Sequence, residues 1–167
     1  MSHTLIIRDA ITADAATCAA IYEHYVLHTT NTFQEKPLPP SHFSYLIEKA
    51  DIVSPFLAAA EGDDVVGYAY ADIWRTRCAF RYTVEVSAYV QATRLGEGIG
   101  GKLLSGLLQA LAASDVRLAV AVIALPNSAS VRMHEKFDFV HSGTLSGAGW
   151  KFGAPHDVGF WSKKLHD

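Results

Sequence analysis

Apolar side chains recur every three or four residues in four segments of the chain, which is the spacing of an amphipathic helix. The predicted helices start near Thr12 or Asp14, at Ser41, at the glycine segment Gly96–Gly101 and at Asn127. Their core-facing stripes are, in the same order, Cys18, Ile21, Tyr22 and Tyr25; Phe43, Leu46, Ile47 and Ala50; Ile99, Leu103, Leu104, Leu107, Leu108 and Leu111; and Val131, His134 and Phe137.

Short runs of alternating or continuous apolar residues predict strands between these helices. They are Thr4–Arg8, Phe56–Glu61, Val65–Ile73, Phe80–Val90, Leu118–Ala124, Phe139–Leu145 and Val158–Leu165, the last two joined by a glycine-rich link. The fourth run alternates, so one face should carry Val84, Val86, Ala88 and Val90, and the other Thr83, Glu85, Ser87 and Tyr89. Leu118–Ala124 is apolar on both faces, which is typical of a parallel central strand. The order of elements predicts an α/β fold, a mixed central β-sheet flanked by helices on both faces, in one domain over residues 1–167.

Composition and charge exclude several classes of protein. Of the 167 residues 50% are hydrophobic and 19% charged, which indicates a folded domain rather than a disordered chain. Fourteen Lys and Arg against 17 Asp and Glu give a net charge of −3, which argues against a nucleic-acid partner. Cys18 and Cys78 make no disulfide framework, and Leu118–Leu125 is the longest apolar run, too short to span a membrane. Since no secretory signal is present either, we expect a cytoplasmic protein without a membrane partner.

The segment Gly96–Gly101 carries four glycines in six positions at the start of a helix. Glycine lets backbone N–H groups approach a ligand, and the helix start offers unpaired donors and the positive end of the dipole. The segment therefore predicts a phosphate site, with a plain glycine-rich turn as the alternative. The dinucleotide pattern Gly96-x-Gly98-x-x-Gly101 lies five residues beyond its strand, and the P-loop pattern lacks a hydroxyl at Leu103, so both known motifs fit poorly.

A third pattern fits better and covers nearly the whole chain. Residues Leu95-Gly96-Glu97-Gly98-Ile99-Gly100 resemble the [Gln/Arg]-x-x-Gly-x-[Gly/Ala] loop of the GNAT family of N-acetyltransferases. Further motifs resemble its phosphinothricin and methionine sulfone acetyltransferase branch: Tyr22-x-x-Tyr25-Val26-Leu27-His28-Thr29-Thr30, Trp74-Arg75, Phe80-Arg81-Tyr82-Thr83-Val84-Glu85-x-Ser87-x-Tyr89-Val90, Asn127-x-x-Ser130-x-x-x-His134-Glu135, Lys151-Phe152-Gly153 and Asp157. The resemblance implies a GNAT fold, a single N-acetyltransferase domain, acetyl-CoA as cosubstrate, no metal, and a small amino-acid-like amine as acceptor. It also implies a homodimer.

The chain departs from the family pattern at three places. Leu95 replaces the usual Arg or Gln, and Arg94 is expected to replace part of the lost charge. Asp138 stands where the family usually has Gly, and Asp is one of the few residues that tolerate a left-handed backbone. Ala154-Pro155-His156 replaces Arg-Trp-Leu in the segment that approaches the acceptor in relatives.

The resemblance implies a cosubstrate site built mainly from backbone N–H groups. Those of Ala88, Tyr89 and Val90 are expected to polarise the acetyl carbonyl and to hold the pantetheine chain. The phosphates are expected on Leu95, Gly96, Glu97, Gly98, Ile99, Gly100 and Gly101, and the coenzyme A chain on Asn127 and Ser130.

The resemblance also implies roles for two titratable residues. Glu85 is expected to take a proton from the acceptor ammonium or to hold it by charge; the alternative is a surface glutamate. His134 takes the position of a tyrosine general acid and is expected to protonate the leaving thiolate, unless it is only packed beside Val131 and Phe137. His24 and His28 could face one metal ion, but no third ligand accompanies them, so no metal site is expected.

The acceptor is expected to contact Arg75, Arg77, Tyr82, Thr83, Glu85, Ser87 and Lys151, with Trp74, Phe33 and Tyr82 as an apolar wall. Arg75 would clamp a carboxylate. Neither cysteine falls in this set, so we expect direct transfer in a ternary complex. Two alternatives stay open: the same fold acting on another amine, such as an antibiotic or a protein N-terminus, and an acyl-CoA-binding sensor without turnover.

Overall fold

Seven strands form one mixed sheet in the computed structural model, which describes residues 4–166. The strands are β1 (Leu5–Asp9), β2 (Phe56–Glu61), β3 (Asp64–Ile73), β4 (Thr83–Val90), β5 (Leu118–Leu125), β6 (Val140–Lys151) and β7 (Ala154–Lys164). Their order across the sheet is β1-β2-β3-β4-β5-β7-β6. The helices are α1 (Ala15–His28), α2 (Pro40–Glu48), α3 (Ile99–Ala112) and α4 (Ser128–Lys136). The predicted α/β architecture is confirmed.

The helices cover both faces of the sheet. On one face α1 and α2 pack through an aromatic cluster that includes Tyr22, Tyr25, Phe43 and Tyr68. On the other face the buried leucines of α3 pack against the sheet, together with apolar residues of α4. The predicted alternation of β4 is confirmed, since its valines join the α3 side while Tyr89 packs towards α1.

β4 and β5 form the one parallel pair in the described sheet, and they pair over only three positions. Thr83, Val84 and Glu85 lie opposite Leu118, Ala119 and Val120, and beyond these positions the two strands diverge. Each strand stays paired on its other side, β4 with β3 and β5 with β7. The divergence therefore opens a cleft in the middle of the sheet.

Two predicted boundaries are wrong, those at α2 and at the start of β4. α2 begins at Pro40 and ends at Glu48, so Ser41 is not its cap and Ala50 lies beyond the helix. Proline suits the first helical turn because no partner is available there for an N–H group. The strand expected from Phe80 begins only at Thr83, because a 3₁₀ turn occupies Cys78–Phe80.

β5 is a central strand and parallel to β4, as predicted, and it is antiparallel to β7. The end of the chain differs from the prediction. The glycine-rich link is not a loop: β6 and β7 run through it as one long hairpin with two register shifts. Asp138 adopts φ 64°, as expected for a residue in place of glycine.

Candidate active site

The cleft between β4 and β5 opens into two adjoining cavities. A groove of about 850 Å³ runs along the starts of α3 and α4, and a pocket of about 380 Å³ is lined by the loop that follows α1. Both cavities share the wall residues Asn31, Ser87, Tyr89, Val122 and Ala124. Molecules bound in the groove and in the pocket would therefore meet at the cleft.

The backbone of β4 offers donors to this cleft. The N–H of Gln91 and the C=O of Thr83 bond towards β3, whereas the C=O of Tyr82 accepts from the chain entering β5. Because backbone groups alternate in direction along a strand, those of Ala88 and Val90 point to the β5 side, where β5 has diverged. The N–H groups of Ala88 and Val90 thus face the groove, while that of Tyr89 belongs to the β3 ladder.

The glycine segment forms an open cradle at the start of α3. Gly98 is the N-cap residue with φ +78°, and Gly96 has φ +85°, so both positions need the freedom of glycine. A side chain built on either would meet no heavy atom within 4 Å. The next three N–H groups, of Ile99, Gly100 and Gly101, form no helical hydrogen bond. The first such bond is the one that Lys102 donates to the carbonyl of Gly98, at 3.1 Å.

Basic side chains surround this cradle. Arg94, Lys102, Arg132 and Lys136 line the groove, and no carboxylate of the described residues does. Arg94 does not replace the charge missing at Leu95, because its guanidinium is paired with Glu61 and Glu97. The positive charge comes instead from residues that sequence reasoning missed; the spacing of Arg132 and Lys136, four apart on α4, was the available signal.

Most of the residues predicted for the cosubstrate line the groove. They are Ala88, Tyr89, Val90, Leu95, Gly96, Gly98, Gly100, Gly101, Asn127 and Ser130. Two do not. The carboxylate of Glu97 bonds to Arg94, and Ile99 is buried in the core, so only their backbone N–H groups are available to a ligand.

Glu85 is the last residue of β4 that pairs with β5, and it lines the pocket. Burial raises the pKa of its carboxyl; the charge of Arg75 opposes this and that of Asp72 adds to it. The net pKa lies above the ordinary 4.5, so Glu85 is a stronger base than a surface carboxylate.

His134 lines the groove with 7% of its surface exposed. Its Nδ1 lies 2.9 Å from the carbonyl oxygen of Ser130, which can only accept, so Nδ1 carries the proton. Burial lowers the pKa of the imidazole, although the bond to Ser130 opposes this shift. The neutral ring, with a lone pair on Nε2, is therefore favoured over the imidazolium that a general acid needs.

Three of the predicted acceptor residues come together. Glu85 and Ser87 line the pocket, and Arg75 lies close enough for its charge to lower the pKa of Glu85. The Arg75 guanidinium stacks on Trp74 at 4.1 Å and donates one bond to the Trp74 carbonyl oxygen. Its remaining N–H groups bond to none of the described residues.

Four other predicted acceptor residues do not line the pocket: Arg77, Tyr82, Thr83 and Lys151. The ring of Tyr82 lies near the guanidinium groups of Arg81 and Arg117, at 4.5 and 5.8 Å. The ammonium of Lys151 donates to the carbonyl oxygens of Thr29 and Thr32 instead of pointing into the pocket.

Sequence reasoning missed part of the pocket wall. Besides the predicted Phe33, the wall contains Tyr22, Asn31, Thr32, Gln34, Tyr70, Tyr89, Val122 and Ala124. Tyr70 pairs with Ser87 across β3 and β4. Nothing local in the sequence marks Tyr70 or the loop residues as parts of the pocket.

Within residues 4–166 no three His, Cys, Asp or Glu side chains come close enough together to hold a metal ion. The rings of His24 and His28 are tilted by 45° to each other, with their centroids 5.2 Å apart. None of the described helices is long and apolar enough to cross a membrane.

The fold and the glycine cradle agree with the family that comparison reveals. Residues 18–139 match the model of the acetyltransferase (GNAT) family, and the chain belongs to this family. It is 39% identical over 157 residues to the phosphinothricin N-acetyltransferase of Streptomyces viridochromogenes, covering 94% of this chain and 86% of the relative. It is 34% identical over 164 residues to the L-methionine sulfoximine/L-methionine sulfone acetyltransferase of Salmonella typhimurium, covering 98% and 96%. The resemblance to this branch is confirmed.

Solved structures lead to the same branch. The protein yncA of Salmonella typhimurium, solved with its cofactor acetyl-CoA, matches with a TM-score of 0.93 at 34% identity, over 98% of this chain and 95% of that one. A phosphinothricin acetyltransferase of Sinorhizobium meliloti in complex with acetyl-CoA matches with a TM-score of 0.88 at 34% identity, over 99% and 89%.

The environment of His134 gives a test by nuclear magnetic resonance. We expect its imidazole to titrate below the ordinary pKa of 6.5 and to carry the neutral-state proton on Nδ1, because burial disfavours charge and Ser130 accepts that proton. A ¹H–¹⁵N titration, with the signal assigned by its loss in His134→Gln, measures both. A pKa above 6.5 or an Nε2-protonated tautomer would contradict the geometry.

Proposed function

We propose that this enzyme transfers the acetyl group of acetyl-CoA to the α-amino group of a small amino-acid-like acceptor. Phosphinothricin, methionine sulfone and methionine sulfoximine are the acceptors that the names of its relatives favour. The observation that carries the proposal is the meeting of a basic groove and a Glu85-bearing pocket at the β4–β5 cleft. Transfer is direct, within a ternary complex.

The groove fits acetyl-CoA in both shape and charge. The N–H groups at the start of α3 suit a pyrophosphate, and Lys102, Arg132 and Lys136 supply positive charge for the phosphates. The N–H groups of Ala88 and Val90 suit the pantetheine amides and the acetyl carbonyl. Acetyl-CoA supplies the thioester; fixed donors at the carbonyl lower the barrier by about 2.7–4 kcal/mol each in other enzymes.

Glu85 begins the reaction by taking one proton from the acceptor ammonium, directly or through a water molecule. The neutral nitrogen then forms a bond to the acetyl carbon, and the carbon–sulfur bond breaks. The second proton leaves the nitrogen and goes to the thiolate, giving an amide and a free thiol. Glu85 returns its proton to solvent.

His134 as a direct proton donor to the thiolate would have to be an imidazolium, which its burial disfavours. The attacking nitrogen is the better proton source, with water or the Nε2 of His134 passing the proton to sulfur. Direct transfer also suits the cysteines, since neither Cys18 nor Cys78 lines the groove or the pocket, and burial raises the pKa of the Cys18 thiol to about 12.

The charges around the pocket orient an amino acid. Glu85 attracts the ammonium group and repels a carboxylate, while Arg75 offers free N–H donors near it. The amino group would thus face the cleft and the carboxylate would face Arg75. A simple amine would lack the second contact.

Homodimer assembly and a cytoplasmic location are part of the same proposal. The homodimer rests on the family resemblance and on the exposed apolar side chains of β6 and its turn, Leu145, Trp150 and Phe152, at the edge of the sheet.

The base role of Glu85 predicts a pH-dependent loss in Glu85→Gln. At neutral pH we expect kcat to fall about 100-fold or more, with little change in acetyl-CoA affinity. The loss should shrink as the pH rises towards the pKa of the amine, since less base help is then needed. Thiol release measured from pH 6 to 9, with Glu48→Gln on α2 as control, checks this. Equal activity of Glu85→Gln and Glu48→Gln across this pH range would remove Glu85 from the mechanism.

The cradle predicts that Gly98→Val weakens acetyl-CoA binding at least tenfold, because a β-branched residue resists φ +78° and its side chain fills the phosphate space. Gly153→Val is the matched control, because Gly153 has φ +74° and open space around it but lies in the β6–β7 turn. Calorimetry measures both affinities. An unchanged affinity of the Gly98 variant would place the phosphates elsewhere.

The carboxylate clamp predicts a substrate-dependent loss in Arg75→Ala. We expect kcat/KM for methionine sulfone to fall about 10- to 100-fold, the value of a charge-assisted hydrogen bond. The decarboxylated analogue should lose far less, because it never makes the contact. Arg81→Ala, in the same loop, is the control. Equal losses for both acceptors would reject the clamp and favour another amine as acceptor. Tight acetyl-CoA binding without thiol release for any amine would favour the sensor.

A further inference from the structure

Lys151 is a charged residue that the reaction described above does not use. It ends β6 and is 2% exposed. Its Nζ lies 2.8 Å from the Thr29 carbonyl oxygen, 2.7 Å from that of Thr32 and 3.4 Å from that of Tyr25. No carboxylate lies within ion-pair distance of it among the described residues. Backbone carbonyls at the C-terminal end of α1 therefore compensate this buried charge.

Two of these carbonyls, those of Thr29 and Thr32, belong to the segment that forms one wall of the acceptor pocket. We call residues 29–34 the acceptor loop; four of them, Asn31, Thr32, Phe33 and Gln34, line the pocket. Thr32 is held from two sides. Its carbonyl accepts from Lys151, and its hydroxyl bonds to the hydroxyl of Tyr22, another pocket residue.

The β6–β7 hairpin supports the acceptor loop at a second point. The ring of Phe33 lies directly on the backbone of Gly149, so that a Cβ at this position would overlap it. His156 of β7 contacts the carbonyl oxygen of Lys151 at 2.9 Å, which ties the two strands at the same place. Residues distant in the chain thus fix the loop by one ammonium and one close backbone approach.

We propose that Lys151 is a positioning residue for the acceptor: it holds the carbonyls of Thr29 and Thr32 so that the acceptor loop closes the pocket in its binding shape. This inference rests on the proposed function of the pocket. It assigns Lys151 to acceptor affinity, without contact to the acceptor and without a part in acetyl-CoA binding.

The test compares Lys151→Met, which keeps an apolar stem and removes the donors, with Lys163→Met of β7. Lys163 forms an ion pair at 3.2 Å with the exposed Asp138 and serves as the matched control. For Lys151→Met we expect the KM for methionine sulfone to rise about 10- to 100-fold, as charged hydrogen bonds are lost. The dissociation constant of acetyl-CoA should change less than about threefold. A purely structural role would weaken both ligands alike.

Gly149→Ala tests the same loop without touching the ammonium. Its methyl group must displace the ring of Phe33, so the KM for the acceptor should again rise while acetyl-CoA affinity holds. This variant decides the question if Lys151→Met fails to fold. An unchanged KM in the folded variants, or an equal loss of acetyl-CoA affinity, would overturn the inference.

Amide hydrogen exchange separates this inference from the proposed function. Residues 29–34 should exchange at least tenfold faster in Lys151→Met than in wild type, whatever the acceptor. Wild type that releases no thiol with any amino acid, while the loop exchanges faster in the variant, would refute the proposed function alone. Unchanged exchange would refute the positioning role of Lys151.

Discussion

The structure depends on the early divergence of β4 and β5. A strand pair inside a sheet normally satisfies its backbone groups, and leaving buried ones unpaired costs free energy. Here each strand stays paired on its other side, β4 with β3 and β5 with β7, while the two pair with each other over only three positions. One freed group, the carbonyl of Val90, accepts from the Tyr25 hydroxyl at 2.6 Å. The N–H groups of Ala88 and Val90 remain on the open side, where a ligand can take the place of the missing strand.

The same divergence separates two electrostatic environments. On the groove side the start of α3 and the side chains of Lys102, Arg132 and Lys136 present positive charge. On the pocket side Glu85 is the charged residue of the wall, with its pKa raised chiefly by burial. A phosphate ligand and an ammonium ligand would therefore sort to opposite sides of β4, although their reacting atoms would meet at the cleft.

The pocket combines the face of β4 with a loop that other parts of the chain hold in place. Its floor is the β4 face itself, with Ser87 beside Tyr70 of the neighbouring strand. Its outer wall is the acceptor loop, which has no regular structure and is held through contacts with the β6–β7 hairpin. Both cavities bring together distant segments of the chain, from Tyr25 to Phe137 in the groove and from Tyr22 to Ala124 in the pocket. Substitutions in the hairpin, such as Pro155 in place of the family's Trp, thus lie in the element that holds this wall.

The sequence by itself determined those features that depend only on residues close together in the chain. Periodicity placed the helices and the alternation of β4, the glycines marked the cradle, and Asp138 marked a left-handed position. The resemblance of its motifs identified the family and singled out Glu85 as a candidate site residue. Only the tertiary structure decided which charges face a ligand. In the sequence, nothing distinguishes Arg94 and Lys151 from cations that are free to bind a ligand. In the structure, Arg94 is paired with Glu61 and Glu97, and Lys151 donates to carbonyls about 120 residues away in the chain. Such partners come together only when the sheet is assembled, because no local spacing encodes a contact between distant segments.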